Sequence, residues 1–165
     1  MINQPKRIAL FVTCVVDQLM PEVGVDTVKV LRRAGYEVDF PLEQTCCGQP
    51  FFNSGFQDEA RRLARRTIDA FADREIVVLP SGSCTTMIRQ EYPHLLENEP
   101  KYYYRALRLA KKSFELSEFL LKEAKWPEAT AVPTPQPQAQ PITYHDSCHM
   151  CRLLGLKKEP RQTLQ

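Results

Sequence analysis

Two cysteines side by side, Cys46 and Cys47, with Gly48 directly behind them, restrict this chain more than any other stretch. On extended backbone, neighbouring side chains point to opposite sides, so such a pair serves one site only where the chain bends. Gly48 and Pro50 supply residues for a bend. Between Cys14 and the pair lie 31 residues, and between the pair and Cys84 lie 36. Each of these positions follows a strand-like run: Ile8 to Val12, the alternating Tyr36 to Phe40, and Ile76 to Leu79. The pattern predicts that the cysteines stand just past the ends of three different β-strands and converge on one metal or cluster site.

The segments between these runs read as helices. Met20, Val23, Thr27, Leu31 and Ala34 fall at helical spacing, with Pro21 suited to the first turn and Gly35 to the end. Ala60, Leu63, Ala64, Thr67, Ile68 and Phe71 make a second apolar stripe. Asn53 or Ser54 is its expected cap, and Asp58 and Glu59 suit the positive end of its dipole. Pro80-Ser81-Gly82-Ser83-Cys84 turns from the third strand into a short helix over 85–91, placing a thiol where a helix dipole stabilises its anion. Lys101 to Lys125 is helical, in two pieces broken near Ser113. Tyr102, Tyr103 and Tyr104 cannot share one helix face, which favours core packing for one or two over a stacking platform.

Alternation of this kind predicts an α/β fold, a Rossmann-like lobe with a parallel sheet, right-handed crossovers and helices on both faces. In such sheets the loops at the carboxyl ends of the strands form the binding crevice. The first lobe is expected to span 1–126. A stretch over 127–141, with Pro133, Pro135 and Pro137 among glutamines and alanines, reads as an extended linker. Ile142-Thr143-Tyr144 is expected to open a new strand, followed by His145 to Cys151 and a short helix to Gly155, so that 142–165 begins a second lobe.

The six cysteines come without a secretory leader, which points to a cytoplasmic protein and to thiols used as ligands or redox groups rather than disulfides. A formal charge of +2 gives no reason to invoke nucleic acid, and Arg61, Arg62, Arg65 and Arg66 suit a solvated helix face. No apolar run is long enough for a membrane span. Soft thiolates select zinc, copper(I) or iron–sulfur centres. The wide spacing disfavours a zinc ribbon, and the ferredoxin spacing is absent. Cys148-His149-Met150-Cys151 is a Cys-x-x-Cys that would permit thiol–disulfide exchange, although nothing else in the chain resembles thioredoxin. His145 and His149 flank Cys148 and are candidates for hydrogen bonds to sulfur, while a structural bond to a backbone carbonyl is the commoner use of such histidines. His94 is expected on the surface.

Cys14, the Cys46-Cys47-Gly48 triplet and Cys84 in Pro-Ser-Gly-Ser-Cys together resemble the cysteine-rich CCG-domain family. That family includes the cysteine-rich subunit of heterodisulfide reductase, the iron–sulfur subunit of glycolate oxidase and the lactate-utilisation proteins. Gln49-Pro50, Glu115 to Leu120 and Tyr144 to His149 extend the likeness along nearly the whole chain. The resemblance implies an iron–sulfur cluster, 4Fe–4S being the expected kind and zinc the alternative. Cys14, Cys46, Cys47 and Cys84 would be its ligands, and Gly48 and Cys148 would stand beside it. It implies electron transfer inside a multi-subunit oxidoreductase that converts L-lactate to pyruvate, with a ferredoxin-like iron–sulfur subunit among the partners. A zinc-binding or metal-free interaction module is the rival reading. Two departures stand out. Ser81 occupies the first position of the family's Cys-x-x-Cys, and Cys148 resembles the opening cysteine of a second motif whose own Cys-Cys-Gly does not follow, as expected of a truncated form of a longer protein.

Overall fold

The structure, a computed structural model, describes residues 6–126 and 143–164. Its centre is a four-stranded parallel sheet in the order β2-β1-β3-β4. The strands are β1 (Arg7–Leu10), β2 (Glu37–Asp39), β3 (Val77–Leu79) and β4 (Ser113–Glu115). Pairing joins Ile8 to Val38, Ala9 to Val77 and Val77 to Ser113.

Successive strand residues enter opposite cores. Ile8, Leu10 and Val78 pack with Leu31, Phe119 and Leu120 on one face. Ala9, Phe11, Val77 and Leu79 pack with Ala60, Ala64, Ile68, Met87, Ile88 and Tyr92 on the other. A parallel strand buried on both faces needs this continuous apolar sequence, and each large side chain so buried contributes about 1.5–3 kcal/mol. The first face is covered by α2 (Pro21–Arg33) and α8 (Leu116–Lys122). The second is covered by α4 (Gln57–Ala70), α5 (Gly82–Thr86), α6 (Tyr92–Leu95) and α7 (Pro100–Lys112). The predicted α/β lobe with helices on both faces is the observed one.

Because β2 lies on one side of β1 and β3 on the other, the chain reverses its winding direction between β1 and β3. Open α/β sheets bind ligands at such a switch point, outside the carboxyl ends of the strands. Cys14 follows β1, Cys46 and Cys47 follow β2, and Cys84 follows β3.

Several local expectations are corrected. Cys14 opens a separate short helix, α1 (Cys14–Leu19), whose first turn is capped by Thr13 Oγ1 accepting from the Val16 N–H at 3.3 Å. Asn53 and Ser54 do not cap α4, because α3 (Gln49–Asn53) intervenes and Phe56 stands at the α4 cap without a side-chain bond. The helix expected over 85–91 begins earlier: α5 starts at Gly82, capped by Ser81, and runs into a π-helical turn, Met87–Glu91. The predicted break near Ser113 is β4, a strand too short for alternation to reveal. Thr143 and Tyr144 are not in a strand, while Ile142 and the 127–141 stretch lie outside the described residues. Beyond them, 143–164 carries a π-helical turn (His149–Leu153) and α9 (Glu159–Thr163), both packed against the lobe. Tyr102 packs on the core and Tyr104 is exposed, as one helix face requires. His94 is exposed.

Candidate metal centre

The bend after the cysteine pair is a glycine bend. Gly48 has φ +87°, a conformation that strains any residue with a Cβ, and a Cβ there would also meet Leu63 Cβ at 3.3 Å. Pro50 then sits in the first turn of α3. Gln44 fixes the other end of the loop: its Oε1 accepts from the Val12 N–H at 2.9 Å, and its Nε2 donates to the Pro41 and Leu10 carbonyls at 3.0 and 3.3 Å. The β2 loop is thereby pinned to the end of β1. Nothing in the sequence singled out Gln44, because its role needs two segments that meet only in the fold.

The result is two thiol pairs. Cys14 Sγ lies 3.6 Å from Cys46 Sγ, and Cys47 Sγ lies 3.2 Å from Cys84 Sγ. Adjacent residues face opposite neighbours, one toward the β1 end and one toward the β3 end. Cys47 and Cys84 are buried, whereas Cys14 and Cys46 are partly exposed.

Protons are shared unequally among the four. The hydrogen bond from Cys47 is the largest influence on Cys46 and, with the Gly48 N–H and the Cys14 thiol, outweighs burial and holds it down to about 5. Cys84 is also lowered, first by the bond from Cys47 and further by the Ser81 and Ser83 hydroxyls. Cys14 is pushed up to about 11, by burial first and then by its bond to Cys46. Cys47 is pushed up because it donates to Cys46 and Cys84 and is buried. Cys46 and Cys84 are thus drawn toward the anionic form, and Cys14 and Cys47 toward the thiol. Negative sulfur is the form in which cysteine binds metals.

Tyr92, fully buried, donates its hydroxyl to the Cys47 carbonyl at 2.8 Å. Tyr92→Phe is expected to leave that carbonyl unpaired and to cost about 1–3 kcal/mol. In urea the midpoint should fall with an unchanged slope, and an unmoved midpoint would show that the bond contributes nothing. Ser81 caps α5 by accepting from the Cys84 N–H at 3.4 Å, with Ser83 Oγ 3.2 Å away. Cys148 is exposed, Cys151 is half-buried, and neither joins the thiol pairs. His149 meets Gln49, Nε2 to Nε2, at 3.1 Å, and His145 is exposed.

Among the described residues, no three His, Cys, Asp or Glu side chains surround one point as a single metal ion requires. Around one tetrahedral zinc at about 2.3 Å, all four sulfurs would lie about 3.8 Å from one another. Here Cys14–Cys46 and Cys47–Cys84 lie at 3.6 and 3.2 Å, and among the described residues no third donor joins either pair around one point. The donor set, four thiols and no carboxylate, is that of a soft metal or an iron–sulfur centre.

This geometry defines a cysteine-rich centre at the switch point of a parallel sheet. Residues 8–89 match the family model described as Cysteine-rich domain, CCG, and the chain belongs to that family. It is 48% identical over 158 residues to Lactate utilization protein A of Bacillus subtilis (strain 168), and 47% identical over 159 residues to the protein of that name in Bacillus velezensis. Identity to the Geobacillus kaustophilus protein of the same name is 45% over 159 residues. Each alignment covers 96% of this chain and 64% of the relative, so the chain spans less than two thirds of their length. No solved structure matches it. Among the described residues no helix is long and apolar enough to cross a membrane.

Proposed function

We propose that this chain holds an iron–sulfur cluster and carries electrons within a system that oxidises L-lactate to pyruvate. The observation that supports this most is the meeting of four thiols from three strand ends at one rim, in contacts of 3.6 and 3.2 Å. The relatives' name, Lactate utilization protein A, supports the metabolic setting.

Cys14, Cys46, Cys47 and Cys84 would hold the group. Gly48 presents its N–H to Cys46 Sγ at 3.4 Å, a contact that steadies a charged sulfur. Burial of Cys47 and Cys84 keeps water from one half of the site. A bound cluster supplies one-electron chemistry that no side chain here can, and the protein supplies position and electrostatics. Beside Cys14 and Cys46 lies a cavity of about 370 Å³ that includes Val12, Asp17, Phe40, Leu42 and Thr45. Its lining has a carboxylate and no Lys or Arg among the described residues, so it offers an anionic 2-hydroxy acid no counter-charge. That favours electron carriage here and lactate binding on another component of the system, with a ferredoxin-like iron–sulfur subunit as the electron neighbour.

The test is anaerobic purification with iron, sulfide and zinc analysis and an absorption spectrum. A brown protein with iron and labile sulfide is expected. A colourless protein with stoichiometric zinc would replace this proposal with the zinc-module alternative.

A further inference from the structure

We infer that residues 149–156 form a cap latched by Met150 over Gly82, which seals the Cys47–Cys84 side of the centre and leaves the Cys14–Cys46 side as its entrance. The inference rests on the four thiols forming one centre, but not on what they bind.

The latch is visible in what a side chain at position 82 would meet. A Cβ on Gly82 would lie 2.0 Å from Met150 Cγ and 2.9 Å from Met150 Sδ, an overlap that no small adjustment relieves. Gly82 does not have a positive φ, so its backbone conformation does not call for glycine. Met150 does. The methionine is 8% exposed, and the Tyr144 hydroxyl reaches its sulfur at 3.8 Å.

Further contacts hold the segment at both cysteine-bearing loops. His149 meets Gln49, which directly follows the Cys46-Cys47-Gly48 triplet. Gln90, in the π-helical turn that continues α5, donates to the Leu153 carbonyl at 2.7 Å. Leu156 is 2% exposed, and its N–H returns to the Met150 carbonyl at 2.9 Å. Cap contacts therefore fall two residues from Cys47 at Gln49 and two from Cys84 at Gly82. Those are the two buried cysteines. Cys14 and Cys46 instead line the open cavity with Val12, Asp17, Phe40 and Thr45.

Such one-sidedness has a chemical consequence. Small neutral or cationic reagents, and a reductant, reach the sulfurs through the cavity, while the inner pair reacts only when the cap lifts. Local opening of a packed segment sets such protection.

The test measures, cysteine by cysteine, the rate of N-ethylmaleimide addition to the full reduced chain by mass spectrometry, below one modification per molecule. It needs no metal, so a chain that fails to take up iron can still show the pattern, and one that takes up iron can still lack it. In the parent chain, Cys46 should react at least about tenfold faster than Cys84, both being drawn toward the reactive thiolate. Cys14 should react at least about tenfold faster than Cys47, both being shifted toward the thiol, so that each comparison reads access alone. Met150→Ala should raise the inner rates by about tenfold or more while leaving Cys14 and Cys46 within about twofold. Gly82→Ala should do the same. Adding Met150→Ala to Gly82→Ala should lower the inner rates again, since the new methyl then fills the emptied socket. If Gly82→Ala does not fold, Met150→Ala alone decides. A folded Met150→Ala chain with inner cysteines as protected as the parent's would overturn the cap, as would equal rates for Cys46 and Cys84, or for Cys14 and Cys47, in the parent.

Discussion

Replacing Cys47 with serine is expected to remove stoichiometric iron and sulfide from the anaerobically reconstituted chain, weakening retention by more than about 100-fold. Outer partners of a metal site are each worth about 10–100-fold, and a lost ligand exceeds that range. Cys47 is the strongest case because it touches both other parts of the site. It donates to Cys84 at 3.2 Å, its thiol is the largest influence on the charge of Cys46, and its carbonyl is held by Tyr92. Cys84→Ser should be nearly as damaging, since Cys84 is also buried and water cannot fill in for the missing sulfur. Cys14→Ser should be milder, because Cys14 is partly exposed at the cavity and contacts only Cys46 among the four. Cys151→Ser should retain full iron. The measurement is iron and sulfide per chain after gel filtration, with circular dichroism to establish folding. Equal loss at Cys14, Cys47 and Cys84 would remove the claimed gradient. Full retention in Cys47→Ser would remove the shared centre altogether.

The sequence carried the framework of this site and left out its supports. Four cysteines just past three strand-like runs are a one-dimensional pattern, and a parallel sheet converts it into one rim by topology alone. Gly48 and Pro50 were legible as a bend because glycine and proline act on their own backbone. Gln44 and Tyr92 were not, since each takes its role from a carbonyl or N–H brought near by the fold. Tyr92 reaches Cys47 across 45 residues, and Gln44 reaches Val12 across 32. Likewise, β4 escaped because three residues offer no period to read, and its central residue Phe114 belongs to a core assembled from distant segments. The cap of α4 went to Phe56 rather than Asn53 because tertiary packing inserted α3, overriding the local preference of asparagine and serine.

A partly buried ion pair ties the Cys84 arm to α8, and replacing one of its members should cost stability that replacing both recovers. Arg89, in the π-helical turn after α5, meets Glu118 of α8 at 2.8 Å; the Glu118 side chain is 8% exposed and the Arg89 side chain 32%. Lys122 adds a second contact to Glu118 at 3.1 Å. Arg89→Met strands most of a buried carboxylate. The expected cost is about 2–3 kcal/mol, below the ~3–5 kcal/mol of a fully buried pair because Lys122 remains and Arg89 is partly wet. For a chain of this size that lowers Tm by about 4–12 °C. Glu118→Leu should cost less, about 1 kcal/mol, since the guanidinium it releases can turn to water. Combining Arg89→Met with Glu118→Leu should recover most of the loss, because two apolar side chains in contact remove both desolvation penalties at once. Measured by urea or thermal unfolding, the double variant is expected to lie above Arg89→Met in stability. If the two losses simply add, the pair is not energetically coupled, and the arm that carries Cys84 is held by its other contacts, among them the apolar packing of Met87 and Ile88.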